Sequence, residues 1–532
     1  MKKYLKFLPL LALGFVSCEP ELDNPLDEAG FYTNGEADFT NYVALGNSLT
    51  AGYADDALYI TGQENSYPNI MAQQFSLVQE TGAFTQPLMA DNAGGLLAGG
   101  QVIPGFDTRY VLSVIEGDTL PKRYRGNAPT TDILNRLQGA FSNMGVPGAK
   151  SYHLLANGYG SVAGLQTNPP SSNPYFVRFA SSDNTSVIGD ALAQDPTFFT
   201  LWIGNNDVLS YATSGGLGVY QENVTDFTKY GPNDITDPTA FAGVYNSLVT
   251  QLTSNGAGGV LLNIPKVTSS PYFTRVPFAP LSPADPNFGP QIPTLNSTFA
   301  PLNQAFAFLG TPERSVSFSE TAASAVLIRD ESLPNLSQQL TQVLIGGGVD
   351  PATAGLYGMQ YGQSRQATED DLLLLTSSSV IGTVNQVRMQ ELMGFGLDQA
   401  TAGKLSVNGV TYPLQDQYVL TPDEQLLIKN ATIAYNIAIS QIAEANALGF
   451  VDVNALADQV ASDGGIIYQG VPISSTFVTG GAFSLDGVHF SPRGYAVIAN
   501  EIIKEINTTY KSTVPAVQVG NFGTVTLNND VQ

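Results

Sequence analysis

A serine that directly follows an apolar run is the first residue in this chain that could do chemistry. Residues 42–45, Tyr-Val-Ala-Leu, end at Gly46, and Ser48 follows among small residues. Short apolar runs bounded by glycine are typical of buried strands in a parallel sheet, and ligands of open α/β sheets bind beyond the carboxyl ends of such strands. The pattern predicts a strand and a sharp turn that presents the Ser48 hydroxyl. Taken alone, it more often marks an ordinary strand-to-helix connection.

The chain contains two histidines, His153 and His489, and either could be a base. A general base that works near neutral pH is most easily a histidine. Asp486 precedes His489 by three residues, a spacing at which a carboxylate can contact the imidazole, as in a Ser-His-Asp arrangement. The alternative is a loop carboxylate beside a surface histidine. His153 has no carboxylate close in sequence, which favours a structural role for it.

Two further turns could supply hydrogen-bond donors to a reacting group. The apolar run 198–203 ends in Gly-Asn-Asn-Asp, where the Asn206 amide could donate to a developing oxyanion. The alternative is that this run forms Asx turns and a helix cap. Gly148 lies in a Val-Pro-Gly-Ala turn and could offer its backbone N–H, although a plain turn glycine is the commoner case; Gly145 is a second choice for this position.

The elements that must position these residues alternate between strands and helices. Apolar runs predict strands at 39–45, 198–203, 258–264 and 450–453. Proline and capping signals predict helices at 66–75, 237–254 and 421–448, and a last helix from 491. This order is typical of an α/β fold in which helices connect parallel strands. Residues 82–130 show no clean period and are predicted to be a long loop.

Four short blocks, in this order, resemble those of the SGNH (GDSL) hydrolases: 46–49 Gly-Asn-Ser-Leu, the Gly148 turn, 204–207 Gly-Asn-Asn-Asp and 486–489 Asp-Gly-Val-His. The resemblance implies a three-layer α/β/α fold with a parallel, flavodoxin-like sheet. It implies Ser48 as nucleophile, His489 as base and Asp486 as its orienting carboxylate. The implied oxyanion hole consists of the Ser48 N–H, the Gly148 N–H and the Asn206 side chain. Val-Pro-Gly-Ala fits the family block better than Gly145 does.

The resemblance covers residues 38–265 and 414–510, which we predict to form the hydrolase domain. The chain departs from the family at Asn47, because the GDSL motif that names the family has Asp before the serine. This difference puts the fine positioning of the serine turn in question. Residues 266–413 match no pattern and are predicted to be an insertion or subdomain. Residues 511–532 are predicted to be a polar, loosely attached C-terminal tail.

The N-terminus has the composition of a targeting segment. Basic residues precede an apolar run at 7–16, which is too short to span a bilayer. Residues 15–18, Phe-Val-Ser-Cys, resemble a bacterial lipobox, so residues 1–17 are predicted to be a lipoprotein signal peptide and Cys18, the only cysteine, to carry the lipid. The alternative is an ordinary secretory signal with an incidental cysteine. Residues 18–37 are acidic and are predicted to be a tether. We expect a lipid-anchored protein of the cell envelope at the outer membrane, with exposure on the cell surface left open.

Composition excludes some partners. The formal net charge is -24 and only 13% of the residues are charged, so a nucleic-acid partner, which requires clustered cations, is not expected. The single cysteine and two histidines do not make a zinc site of the usual type. We expect that the reaction requires neither a metal nor another cofactor, and calcium on exposed carboxylates stays open.

Together these observations predict a serine esterase or lipase that hydrolyses acyl esters through a Ser-His-Asp triad and an acyl-enzyme. Its partners would be an acyl-ester substrate, either a lipid or an acetylated glycan, and a membrane reached through the lipid anchor. Two alternatives stay open. One is a carbohydrate O-acetyl esterase that uses the same triad, and the other is a surface ligand-binding lipoprotein without catalysis.

Overall fold

The centre of the protein is a parallel sheet of five strands in the order β2-β1-β3-β4-β5. The structure is a computed structural model that describes residues 31–115 and 118–531. The strands are β1 (Tyr42–Gly46), β2 (Asn143–Gly145), β3 (Phe198–Trp202), β4 (Gly258–Leu262) and β5 (Gly449–Val451). The predicted α/β class with a parallel sheet is therefore confirmed.

The register places the carboxyl ends of three neighbouring strands at one level. Gly46, the last residue of β1, pairs with Gly145 of β2 on one side and with Trp202 of β3 on the other. The turns that follow these strands carry Ser48, Gly148 and Asn206. Residues that are far apart in the sequence are thus brought to the same edge of the sheet.

Two hydrophobic clusters cover the sheet, one on each face. Successive side chains of a strand point to opposite faces, so one strand contributes to both clusters. In β1, Val43 and Leu45 belong to one cluster, whereas Tyr42 and Ala44 belong to the other. Six helices packed about the sheet are labelled here as α1 (Ser48–Ala51), α2 (Tyr67–Phe75), α3 (Asn206–Thr213), α4 (Pro238–Leu252), α5 (Pro422–Ala445) and α6 (Pro492–Thr509). Helices α4 and α5 contribute to the first cluster, and α2 and α6 contribute to the second.

The helix starts follow from local chemistry. Asp237 caps α4 by accepting a hydrogen bond from the Ala240 N–H at 2.9 Å. Thr421 and Glu424 form the capping box of α5, and the Thr421 N–H donates to the Glu424 carboxylate at 2.7 Å. Ser491 caps α6 by accepting from the Gly494 N–H at 3.1 Å. Each cap satisfies a backbone donor that the helix itself leaves free.

A third hydrophobic cluster is formed by residues between Val276 and Val419, and we call this part of the chain the 276–419 region. Its principal helices are Ile292–Phe308, Ser337–Gly346, Pro351–Tyr361, Gln386–Gly394 and Gln399–Lys404. Two short antiparallel pairs join Leu327–Arg329 to Ser364–Gln366 and Leu372–Leu373 to Val419–Leu420. The boundaries predicted for the hydrolase domain and the insertion stay predictions.

Two expectations were wrong. Residues 82–130 contain an antiparallel pair, Tyr110–Ile115 with Asp118–Arg123, which we call the hairpin. The C-terminal tail is not loosely attached, because Val514 and Val519 are buried in the cluster that includes α6 and Leu112 forms a bridge with Leu527.

The N-terminal predictions fall largely outside the described residues. The signal peptide and Cys18 lie there, and of the predicted tether only residues 31–37 are described. Ala37 is buried, and the Glu36 N–H donates to the Tyr510 carbonyl at 2.7 Å. Across residues 31–115 and 118–531, no helix combines the length and apolarity needed to cross a bilayer.

Candidate active site

Ser48 lies at the first position of α1, directly after the buried strand β1. A side chain at Gly46 would collide with the Trp202 carbonyl and the Thr50 side chain, so only glycine allows this close approach. The Asn47 side chain accepts from the Leu49 N–H at 3.0 Å and donates to the Asn205 Oδ1 at 3.1 Å. Asn47 therefore caps α1 and joins the serine turn to the turn after β3. An aspartate could make the first contact but could not donate in the second.

Ser48, His489 and Asp486 form a continuous chain of contacts. The Ser48 Oγ lies 2.9 Å from the His489 Nε2, although the two residues are 441 positions apart in the sequence. The His489 Nδ1 lies 3.0 Å from the Asp486 Oδ2. Both distances are those of hydrogen bonds. In this arrangement His489 can take a proton from Ser48 while Asp486 holds its imidazole in one tautomer.

Asp486 is held as an ionised carboxylate by the groups around it. Its Oδ1 accepts hydrogen bonds from the N–H groups of Val488 and His489 at 2.8 Å each, and its Oδ2 accepts from the Asp56 N–H at 2.8 Å. Burial by itself would raise the pKa of Asp486, but the charge and hydrogen bonds of His489 outweigh burial, and the pKa is lowered. A carboxylate in this state stabilises an imidazolium.

Asp55 and Asp56 hold the loop that carries Asp486, and neither was among the site residues predicted from the sequence. Both have left-handed backbone conformations, with φ of 54° and 59°. Asp55 accepts from the Leu485 N–H at 2.9 Å and from the Tyr59 hydroxyl at 2.7 Å. Burial raises the pKa of Asp55 to about 6, and the nearby Asp486 charge adds to the shift. The tandem Asp after the serine turn was the only sequence signal, and it fits an ordinary turn equally well.

The proposed oxyanion donors follow the ends of β1, β2 and β3. The Asn206 Nδ2 donates to the Ala149 carbonyl at 2.9 Å, which engages one of its two amide hydrogens. Within the described part of the chain, the backbone N–H groups of Ser48 and Gly148 donate to no acceptor. The Gly145 N–H, in contrast, donates to the Asn143 Oδ1 at 3.0 Å. Gly148 has a φ of 80°, a conformation that favours glycine.

His153 lies apart from these residues. Its Nδ1 accepts from the Lys150 N–H at 3.0 Å, and its ring stacks on Tyr159 with the ring centres 4.6 Å apart. Burial, and then the charge of Lys150, lowers the pKa of His153 to about 3. A buried neutral imidazole that caps a turn has a structural role, as its sequence surroundings favoured.

Asp207, the last residue of the Gly-Asn-Asn-Asp turn, positions the segment after Gly148. Its carboxylate accepts from the Ser151 N–H at 2.8 Å and from the Ser151 hydroxyl at 2.7 Å. Asp207 is fully buried, and burial raises its pKa, although the Lys150 charge opposes the shift. The Lys150 Nζ in turn donates to the Asp234 carbonyl at 2.6 Å. These contacts fix the turn after β2 relative to the turn after β3.

Two cavities adjoin the His489 imidazole. A small one, of about 50 Å³, is lined by Ser48, Asn206 and mainly apolar neighbours. A cleft of about 2690 Å³ is lined by His489, by the hairpin and by the 276–419 region. Gly148 lines neither cavity. Among residues 31–115 and 118–531, no cluster of three or more His, Cys, Asp or Glu side chains could hold a metal ion.

Comparison with known proteins gives this chain no relative. No model of a protein family, no curated protein and no solved structure matches it.

Proposed function

We propose that this chain is a serine hydrolase of the SGNH (GDSL) type that cleaves carboxylic esters. The observation that carries the proposal is the chain of contacts from Ser48 through His489 to Asp486, with heavy-atom distances of 2.9 and 3.0 Å. A nucleophile in contact with a base, which is in turn oriented by a carboxylate, is the arrangement that activates a serine hydroxyl.

The reaction follows from these contacts. The His489 Nε2 takes the proton of the Ser48 hydroxyl as Ser48 Oγ bonds to the ester carbonyl carbon. The negative charge that develops on the carbonyl oxygen is stabilised by the Ser48 and Gly148 N–H groups and by the free amide hydrogen of Asn206. His489 returns the proton to the alcohol oxygen as the ester bond breaks. Water, deprotonated by His489, then cleaves the acyl-enzyme and restores the Ser48 hydroxyl.

The fold supports the family proposal. The strand order β2-β1-β3-β4-β5 corresponds to the order of flavodoxin-like doubly wound sheets, in which ligands bind beyond the carboxyl ends of the strands. Ser48, Gly148 and Asn206 all follow strands at that edge. We therefore propose a three-layer, flavodoxin-like SGNH domain as the support of the site.

A fluorophosphonate probe tests the nucleophile, because it reacts covalently with an activated serine. We expect labelling and ester turnover in the wild type and neither in Ser48→Ala. Ser76→Ala, at an exposed position after α2, is the matched control and should behave as the wild type. Labelling that persists in Ser48→Ala would contradict the assignment. Absence of both turnover and labelling in the wild type would instead favour a binding protein without catalysis.

We further propose that the protein is anchored to the cell envelope, at the outer membrane, by lipid on Cys18. The support is the sequence alone: a basic and apolar leader ends at the only cysteine of the chain. Diacylation would supply more than one acyl chain, which is what stable anchoring requires. A Cys18→Ser variant expressed in a bacterial host should lose metabolic labelling by a fatty acid and leave the membrane fraction. Retention of both in Cys18→Ser would contradict this proposal.

A further inference from the structure

The two cavities beside His489 differ greatly in size and share one wall. Leu209, Val488 and His489 line both of them. Ser48 and Asn206 line the small cavity of about 50 Å³. The cleft of about 2690 Å³ lies on the other side of this wall. An ester held at Ser48 therefore has a confined space on one side and an open space on the other.

The proposed chemistry decides which half of an ester occupies each space. In the tetrahedral intermediate, the carbonyl carbon is bonded to the Ser48 Oγ and its oxygen faces Asn206. Ser48 and Asn206 both line the small cavity, so this cavity is the space beside the reacting carbon that the acyl substituent can enter. The alcohol oxygen must lie near the imidazole that protonates it, and His489 is the one of these three residues that also lines the cleft, so the alcohol can extend into the cleft. The acyl group consequently occupies the small cavity and the alcohol occupies the cleft.

The small cavity limits the length of the acyl chain. A space of this size holds about three to five groups the size of a water molecule. That capacity matches the alkyl part of an acetyl to butyryl group and is too small for an octanoyl chain. Two of its walls are fixed by packing: Val267 belongs to the cluster that includes α4 and α5, and Phe490 stacks between Trp202 and Phe483.

The cleft, in contrast, exceeds the size of ordinary small-molecule pockets, which is about 300–1,000 Å³. Tyr110 and Leu120 of the hairpin line one part of it. Leu281, Tyr357 and Val407 of the 276–419 region line another part. The 276–419 region would thus serve to bind the alcohol half of the substrate.

We propose that the site accepts a short acyl group, from acetyl to butyryl, esterified to a bulky alcohol that binds in the cleft. This proposal rests on the proposed esterase function. It places the substrate among short-chain esters of large alcohols and separates this protein from lipases of long-chain acyl esters.

The acyl half is tested with 4-nitrophenyl esters of acetate, butyrate, octanoate and dodecanoate. We expect kcat/KM to fall by at least about tenfold from butyrate to octanoate, because surplus methylene groups have no space. Val267→Ala widens the small cavity and should raise the octanoate-to-acetate ratio of kcat/KM about tenfold. Val244→Ala is the matched control: both valines are 7% exposed and belong to the same cluster, but Val244 lines neither cavity, so the ratio should not change.

The alcohol half is tested with a fixed acetyl group, by comparing testosterone acetate with ethyl acetate. Tyr357→Ala should raise the KM for testosterone acetate about two- to tenfold more than the KM for ethyl acetate, the loss expected for one aromatic contact. Equal effects on the two esters would overturn the assignment of the cleft to the alcohol.

The outcomes separate this proposal from the proposed function. Octanoate cleaved as fast as butyrate, or no change of the ratio in Val267→Ala, would overturn the acyl limit while the esterase assignment stands. Absence of turnover on every ester, together with absence of fluorophosphonate labelling at Ser48, would overturn the esterase function and this proposal with it.

Discussion

The carboxyl edge of the sheet and the 276–419 region are built in different ways. At the sheet edge, the turns that carry Ser48, Gly148 and Asn206 follow the neighbouring strands β1, β2 and β3. These strands are paired residue by residue, and all three are buried along their whole length. In the 276–419 region the strands are only two or three residues long, and helices surround a separate cluster of side chains. The region also contains an ion-pair network in which Arg365 contacts Asp330 at 2.7 Å and Asp371 at 2.6 Å.

This difference suggests that the two parts have different roles in the site. Groups that must meet within hydrogen-bonding distance, such as Ser48 and His489, are placed by the sheet and the loop before α6. Groups that need only shape a large space are supplied by the 276–419 region. Substitutions at the sheet edge should therefore affect every substrate, whereas substitutions around the cleft should change the choice of substrate.

The largest expected effect contrasts the two histidines. His489→Ala removes the base, and we expect kcat on 4-nitrophenyl acetate to fall on the order of 10⁴-fold, with little change in thermal stability. His153→Ala leaves the buried Lys150 N–H without its acceptor, which should cost about 1–3 kcal/mol of unfolding free energy and change kcat by less than about tenfold. Kinetics and thermal unfolding of both variants test this contrast. A comparable loss of kcat in the two variants would contradict it.

The next effect concerns the oxyanion. Asn206→Ala removes the only side-chain donor proposed for the hole, and kcat should fall about 10²–10³-fold. Asn205→Ala is the neighbouring comparison, because it removes no proposed oxyanion donor. It leaves the buried Asn47 amide without its acceptor, which should cost about 1–3 kcal/mol of unfolding free energy and lower kcat by less than about tenfold. Single-turnover kinetics with 4-nitrophenyl acetate distinguish the two. If Asn205→Ala costs as much as Asn206→Ala, the geometry of the turn rather than the amide of Asn206 is responsible.

The central sheet could be predicted from the sequence because its signals are local. The apolar runs that predicted strands at 39–45, 198–203 and 258–264 correspond to β1, β3 and β4 within a few residues, since strands buried on both faces are apolar throughout. The contact of Asp486 with His489 is also local. The contact of Ser48 with His489 spans 441 positions, and only the resemblance to a family suggested it.

The remaining parts depend on contacts that no local pattern reveals. The hairpin includes Lys122, Pro121 and Arg123, whose polarity and ring geometry argue against a strand when read alone. Val514 and Val519 lie in a short apolar stretch of the tail that contains Pro515, and their burial depends on the cluster around α6. Asp56 orients Asp486 through its backbone N–H, which carries no sequence signal.

A smaller effect should appear in the pH dependence of stability. The pKa of Asp55 is about 6 in the folded protein, against 3.8 for an ordinary Asp, with burial as the main cause and Asp486, Arg109 and Tyr59 as its titratable or charged neighbours. Between these values the folded state holds a proton that the unfolded chain has released, so the free energy of unfolding falls as pH rises from about 4 to about 6. Asp55→Asn stays neutral and should remove this slope, gaining roughly 1–3 kcal/mol at pH 7.

Urea unfolding of the wild type and Asp55→Asn between pH 4 and pH 7 measures this slope. Asn also tolerates the left-handed conformation at position 55. Asp183→Asn, at an exposed carboxylate, is the control and should retain the wild-type dependence. A slope that persists in Asp55→Asn would show that another group binds the proton.

The smallest effect is expected where the hairpin meets the cleft. Leu120 is 50% exposed and lines the cleft, so Leu120→Ala should leave thermal stability and the hydrolysis of ethyl acetate unchanged. It should lower kcat/KM for testosterone acetate by about two- to threefold, because only part of a leucine side chain contacts the alcohol. Leu134→Ala is the matched control: Leu134 is 51% exposed and lines neither cavity, and no substrate should distinguish it from the wild type. An equal loss on both esters in Leu120→Ala would mean that the hairpin acts on the catalytic groups, through Arg123 and Asp56, and not on the choice of alcohol.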